Sequence, residues 1–201
     1  KQDILILAIG KVTQLCIMLG VVRVFTSLLP PAEVGNLILF LSVASFLGLV
    51  FINPVGMYVN RLAYVWKESN KLLSNFWQYN YYVLFTSLLA FFVGFSLHFF
   101  GLSSSMSALI LAIMLMLFTF VNTWYSTIIP IINLYYFRLA FVVLTLISLS
   151  SALLFSILFV NYMERTALSW IFGQIVGLML GTVFSIIYLK IILQERFKFS
   201  S

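Results

Sequence analysis

The stretch ILILAIGKVTQLCIMLGVVRVFTSLL, residues 4–29, decides the fold. It contains only two charged side chains, Lys11 and Arg23, in a run longer than the ~20 apolar residues that take a helix across a bilayer. Pro30 and Pro31 stop it, because proline lacks a backbone N–H and disfavours helix at the residue before it. A short turn with Glu33 and Gly35 follows.

The same character continues to the end of the chain. Of 201 residues, 63% are hydrophobic and 8% charged, and the mean hydropathy is +1.14. A soluble domain is nearer half apolar and a quarter charged, so a water-soluble globule is excluded. One cysteine, Cys16, excludes a disulfide scaffold and reads as a small packing residue. Further spans are expected at about residues 34–59, 79–100, 106–129, 137–160 and 167–193. The fold class is therefore all-α: a polytopic bundle of six transmembrane helices in a single lobe, residues 1–201. The start at Lys1 and the length of the first run suggest a trimmed or partial protein.

Several local features refine this plan. Asn53-Pro54 lies inside the second span and predicts a kink whose freed carbonyls need a polar neighbour. That span is expected to end at Asn60-Arg61. Residues 61–76 alternate Leu62, Val65, Trp66, Leu72, Leu73 and Phe76 with Lys67, Glu68 and Lys71, the pattern of a helix lying on the membrane surface. Residues 101–105 form a small uncharged turn, and Pro130 separates the fourth span from the fifth.

Charge sets the orientation. Outside the first span, Lys1, Arg61, Lys67, Lys71, Arg138, Lys190, Arg196 and Lys198 fall on one side and Arg165 alone on the other. By the positive-inside rule both termini face the cytoplasm. The net charge of +6 thus reports topology, and no nucleic-acid partner is expected. Trp66, Trp77, Trp124, Tyr135, Tyr136 and Tyr188 fall near cytoplasmic ends and Trp170 near an outer end, as interfacial aromatics do.

The candidate site begins with Lys11 and Arg23. A charge at depth in hydrocarbon is costly and finds a partner, a cavity or a route to the interface. The five acids, Asp3, Glu33, Glu68, Glu164 and Glu195, all fall in loops or near helix ends. The two cations must therefore snorkel, line a hydrated cavity, or meet an anion from outside this chain. Twelve residues apart, they sit about 120° apart around an ideal helix. Gly20 between them could bend it. Gln14, one turn from Lys11, extends a polar lining, and Asn53 has either a structural role at the kink or a substrate-facing one.

The remaining polar residues point to packing. Gly173, Gly177 and Gly181 form a stripe for close helix approach. Asn122 and Gln174 suit interhelical hydrogen bonds, and His98 suits the interface. No metalloprotease, nucleophile-elbow, C-x-x-C or phosphate-loop signature is present, so no enzyme activity and no cofactor or metal is expected.

Two segments carry a resemblance: Arg23 followed by Leu28-Leu29-Pro30-Pro31-Ala32-Glu33-Val34-Gly35, and Asn53-Pro54-Val55-Gly56-Met57-Tyr58-Val59-Asn60-Arg61. Both resemble the polysaccharide-transporter branch of the multidrug/oligosaccharidyl-lipid/polysaccharide exporter superfamily, the flippases of lipid-linked sugars. The resemblance implies two six-helix lobes around a cavity that opens alternately to each side, of which this chain is the amino-terminal one. It implies an anionic lipid-linked sugar as substrate, met by Arg23 and by the basic residue Arg61; Lys11 joins them from its position alone. The partners would be membrane lipids and a second six-helix lobe of the same full-length chain, in a bacterial cytoplasmic membrane. Two rivals stand beside it. A multidrug antiporter would be expected to carry an intramembrane acid, and a non-transporting scaffold subunit would let both cations snorkel.

Overall fold

The structure is a computed structural model that describes residues 2–69, 72–99 and 107–198. Among these residues every regular element is helical: α1 (Gln2–Leu28), α2 (Pro31–Leu47), a π turn (Gly48–Ile52), α3 (Asn53–Glu68), α4 (Leu72–Phe99), α5 (Ala108–Leu134), α6 (Arg138–Tyr162) and α7 (Ala167–Lys198). The α2–π–α3 segment is one long crossing, which makes six helices long and apolar enough to span a membrane. Lys1, Lys71 and the turn at residues 101–105 lie outside the described residues.

The crossings alternate, and contacts at the helix ends fix which ends meet. Arg138 Nη1 pairs with Asp3 Oδ2 at 3.0 Å, joining the starts of α1 and α6. The Tyr135 hydroxyl donates to the Ala63 carbonyl at 3.1 Å, and the Lys67 ammonium lies 4.3 Å from the Tyr135 ring centroid, joining the ends of α3 and α5. At the opposite end Glu33 joins the starts of α2 and α7. The first end collects Arg61, Lys67, Arg138 and Lys190; the second holds Arg165.

Packing is uneven. Of the apolar window of each span, 44% is buried in α7 but only 6% in α1. The tightest contact is between α6 and α7. A Cβ on Gly173 would overlap the backbone of Ser156, and one on Gly177 the backbone of Ala152, while Gly181 lies against Ser148. Glycines four apart on one helix thus face small residues four apart on the next, so the two backbones approach closely. Ser151 Oγ donates to the Gly177 carbonyl at 3.1 Å and Ser156 Oγ to the Trp170 carbonyl at 2.9 Å, stitching the same seam.

Some local expectations are corrected. Pro130 does not end a helix but lies within α5, since neighbouring helices and side chains can satisfy the carbonyl that a proline frees. Residues 61–76 form no separate surface helix: the first part continues α3 to Glu68, and the rest opens α4. Ala63 and Leu72 are buried with Tyr79, Ile131 and Tyr135 in one core cluster, and Trp66 and Phe76 pack against it, while Val65 stays exposed. Trp170 is no interfacial ring. It is 0% exposed, with its ring edge-on to Phe25 at 5.9 Å. Cys16 is exposed rather than packed, because α1 touches the bundle along one stripe only.

Candidate functional site

The irregular backbone in the second crossing lies where the sequence placed a kink. The π turn ends at Ile52, two residues before Pro54, and the Asn53 N–H donates to the Gly48 carbonyl, five residues back. The Tyr82 hydroxyl of α4 donates to the Phe51 carbonyl within this turn at 2.7 Å, the polar neighbour a distorted membrane helix requires. Asn53 itself is exposed. Beside the turn, Tyr79 and Thr127 share a buried hydroxyl–hydroxyl bond of 2.7 Å.

Lys11 and Gln14 lie at the edge of α1 that meets α6. The Lys11 ammonium donates to Gln14 Oε1 at 3.0 Å. Together with Gly10, Val142 and Thr145 they line a crevice between the two helices, of roughly 10 Å³, room for about one water. The Thr145 hydroxyl donates to the Phe141 carbonyl at 2.7 Å and is bonded to neither of them. Gly10 allows the close approach; a Cβ there would meet the Val142 side chain at 2.6 Å.

Arg23 does not share this crevice. It lies on the exposed face of α1, on the same side as Leu5, Val12, Cys16 and Leu19. The helix rotation of about 120° between the two cations thus leaves one beside α6 and the other facing away from the bundle. Arg61 and Asn53 are exposed on α3. The structure brings together Lys11 and Gln14 of the five candidate residues and leaves the other three as separate exposed positions on α1 and α3.

Depth separates the cations further. α1 is about 40 Å long at 1.5 Å per residue, so in a bilayer centred on it the Lys11 Cα lies about 6 Å from the midplane and that of Arg23 about 12 Å on the other side. The hydrocarbon extends about 15 Å each way. Arg23 can reach the near headgroups, whereas Lys11 bonds to a residue one turn further into the membrane. Arg61, about 45 Å along the second crossing from Pro31, falls at the opposite interface.

No carboxylate among the described residues answers either deep cation. Asp3 is engaged by Arg138. Glu33 accepts from Asn36 Nδ2 at 3.1 Å and from the Ala167 N–H at 2.7 Å. Glu68 and Glu164 are exposed at helix ends. The described residues contain no cluster of potential metal ligands.

No family model, curated protein or solved structure matches the chain.

Other features of the region were not foreseen. The role of Glu33 was hidden because its partner is a backbone N–H in another hairpin. Asn122 and Gln174, expected to bond between helices, are hydrogen-bonded to no described residue; serines, tyrosines, Glu33 and the Arg138–Asp3 pair join the helices instead.

Proposed function

We propose that this chain is the amino-terminal lobe of a carrier that flips a lipid-linked oligosaccharide, joined to its lipid through pyrophosphate, across a bacterial cytoplasmic membrane for cell-surface polysaccharide synthesis. The observation that carries the reading is Lys11: an ammonium near the middle of a membrane helix, bonded to a neutral amide and answered by no carboxylate among the described residues. An anion from outside the chain would answer such a group. A lipid (pyro)phosphate supplies it without bond cleavage, so no catalytic residue is required.

The sparse packing of α1 supports a second lobe. With the face that bears Arg23 turned away from the bundle, a six-helix partner docked against α1 and α3 would place Lys11, Arg23, Asn53 and Arg61 on the walls between two lobes. Rocking of the lobes would expose the headgroup to each side in turn. The concentration of Lys and Arg at the end where α1 begins supports a cytoplasmic position for that end. Substrate binding has to stay moderate in both states for release to occur.

The multidrug-antiporter reading receives no support from an intramembrane acid among the described residues. The scaffold reading draws on one observation, that Arg23 lies within reach of headgroups on an exposed face.

The deciding experiment replaces Lys11 and Arg23 by alanine in the full-length protein and measures surface polysaccharide in cells together with membrane insertion. The carrier reading expects inserted protein with export reduced at least tenfold in Lys11→Ala. Normal export by both variants refutes it.

A further inference from the structure

The bond between Lys11 and Gln14 has a consequence for how an anion would enter. An ammonium has three N–H donors and no acceptor, so the amide oxygen of Gln14 is the atom that faces it. The amide nitrogen, with two donors of its own, is then turned elsewhere. No described residue accepts from it or from the rest of the Lys11 ammonium. The unengaged N–H groups of Lys11 and Gln14 thus outnumber the side-chain acceptors that line the crevice, Gln14 Oε1 and the Thr145 hydroxyl oxygen. Its other walls, Leu7, Val142 and Leu146 among them, are apolar.

We propose that Gln14 is an internal competitor for the anion: its side-chain oxygen occupies the place on Lys11 that a phosphoryl oxygen takes when ligand arrives. Binding then exchanges one hydrogen bond for another. The exchange keeps affinity moderate, which a carrier needs in order to release its cargo. This assignment of a role to Gln14 rests on the carrier reading for its purpose, but the competition is a property of the two side chains and can be measured without transport.

The neighbouring groups are consistent with a two-residue device. Thr13 and Thr145 have both committed their hydroxyl hydrogens to carbonyls of their own helices, at Ile9 and Phe141. The bond to Gln14 at 3.0 Å, on an exposed side chain, is the one hydrogen bond that Lys11 makes among the described residues.

The test uses the whole chain with two probes that share phosphate chemistry. Phosphatidic acid is titrated into phosphatidylcholine nanodiscs holding the protein, and inorganic pyrophosphate into detergent-solubilised protein. Binding is read by native mass spectrometry and calorimetry, and folding by circular dichroism. Wild type, Lys11→Met, Gln14→Leu and Gln14→Glu are compared. Gln14→Leu is expected to bind about tenfold tighter, since a hydrogen bond to a charged group no longer has to be broken. Gln14→Glu, which supplies a carboxylate of its own, is expected to bind at least tenfold more weakly and to approach Lys11→Met. Binding of the lipid alone in this pattern identifies a headgroup as the source, and binding of pyrophosphate identifies the free anion; either supports the competition. Folded Gln14→Leu that binds no tighter than wild type, or folded Lys11→Met that binds as wild type does, overturns it. If the pattern holds while polysaccharide export is indifferent to Lys11, the carrier reading fails and the competition stands.

Discussion

The Glu33 carboxylate accepts the backbone N–H of Ala167, 134 positions later in the chain, at 2.7 Å. Ala167 is the first residue of α7, so a negative group sits at the positive end of that helix and satisfies one of its orphan donors. Asn36 steadies the other carboxylate oxygen at 3.1 Å. Removing the side chain in Glu33→Ala should lower stability by about 1–2 kcal/mol, the usual cost of a lost helix cap. Glu33→Gln keeps an acceptor and should lose only about 0.5 kcal/mol. Thermal unfolding of both variants in one detergent checks this; an alanine variant as stable as wild type would show that the tie contributes nothing.

The seam between α6 and α7 makes a sharper demand. Because a Cβ on Gly177 would overlap the Ala152 backbone, Gly177→Ala has to push two helices apart and should destabilise by about 1–3 kcal/mol. Gly20, with nothing within 4 Å of its Cβ position, is the control. Gly20→Ala should be neutral or stabilise by up to about 1 kcal/mol, since alanine is the better helix former. Equal effects of the two substitutions would mean that helix propensity, not contact, governs both.

What could be read in advance divides by the range of the interaction involved. Six crossings were legible because hydropathy over ~20 residues is a local property, and the kink at Asn53-Pro54 was legible because proline acts on its own helix. The pairing of Lys11 with Gln14 was within reach for the same reason, both lying on one turn. Pro130 misled because its effect depends on neighbouring helices that sequence does not display. Trp170 misled because a tryptophan near a helix end suits either a lipid interface or a core, and only the proximity of Phe25 selects the core. The separate placements of Lys11 and Arg23 follow from which stripe of α1 meets α6, a choice that an apolar helix with no strong polar face leaves open.

Tyr135 offers a test by pH. Its hydroxyl bonds to Ala63 below the Lys67 ammonium, and burial pushes the phenol up from 10.0 to about 12. A group whose folded pKa lies above its unfolded value favours the fold fully below the unfolded pKa and loses that contribution as pH rises through the window from 10.0 to about 12. Phenolate absorbance of wild type minus Tyr135→Phe should therefore show no ionisation of this residue at pH 10.5. The phenylalanine variant should also lose about 1 kcal/mol at neutral pH from the missing hydrogen bond. A difference spectrum that rises below pH 10 would place the ring in water.

The charge asymmetry predicts which end of the bundle is reachable from outside the cell. Cys16 is the single native cysteine and lies exposed on α1, so the experiment starts from Cys16→Ser. Onto this background Arg165→Cys marks the α6–α7 connection, and Lys190→Cys marks α7 near the end where α1 begins. An impermeant maleimide applied to intact cells, or to spheroplasts where an outer envelope blocks it, should label Arg165→Cys and leave Lys190→Cys unlabelled until the membrane is opened. Each Lys or Arg placed near a span end biases that end toward the cytoplasm, and the count of eight against one leaves little room for a mixed topology. Labelling of Lys190→Cys in closed cells with protection of Arg165→Cys would invert the bundle. Lys11 would then lie nearer the outer leaflet, and the headgroup of a substrate made in the cytoplasm would meet Arg23 first.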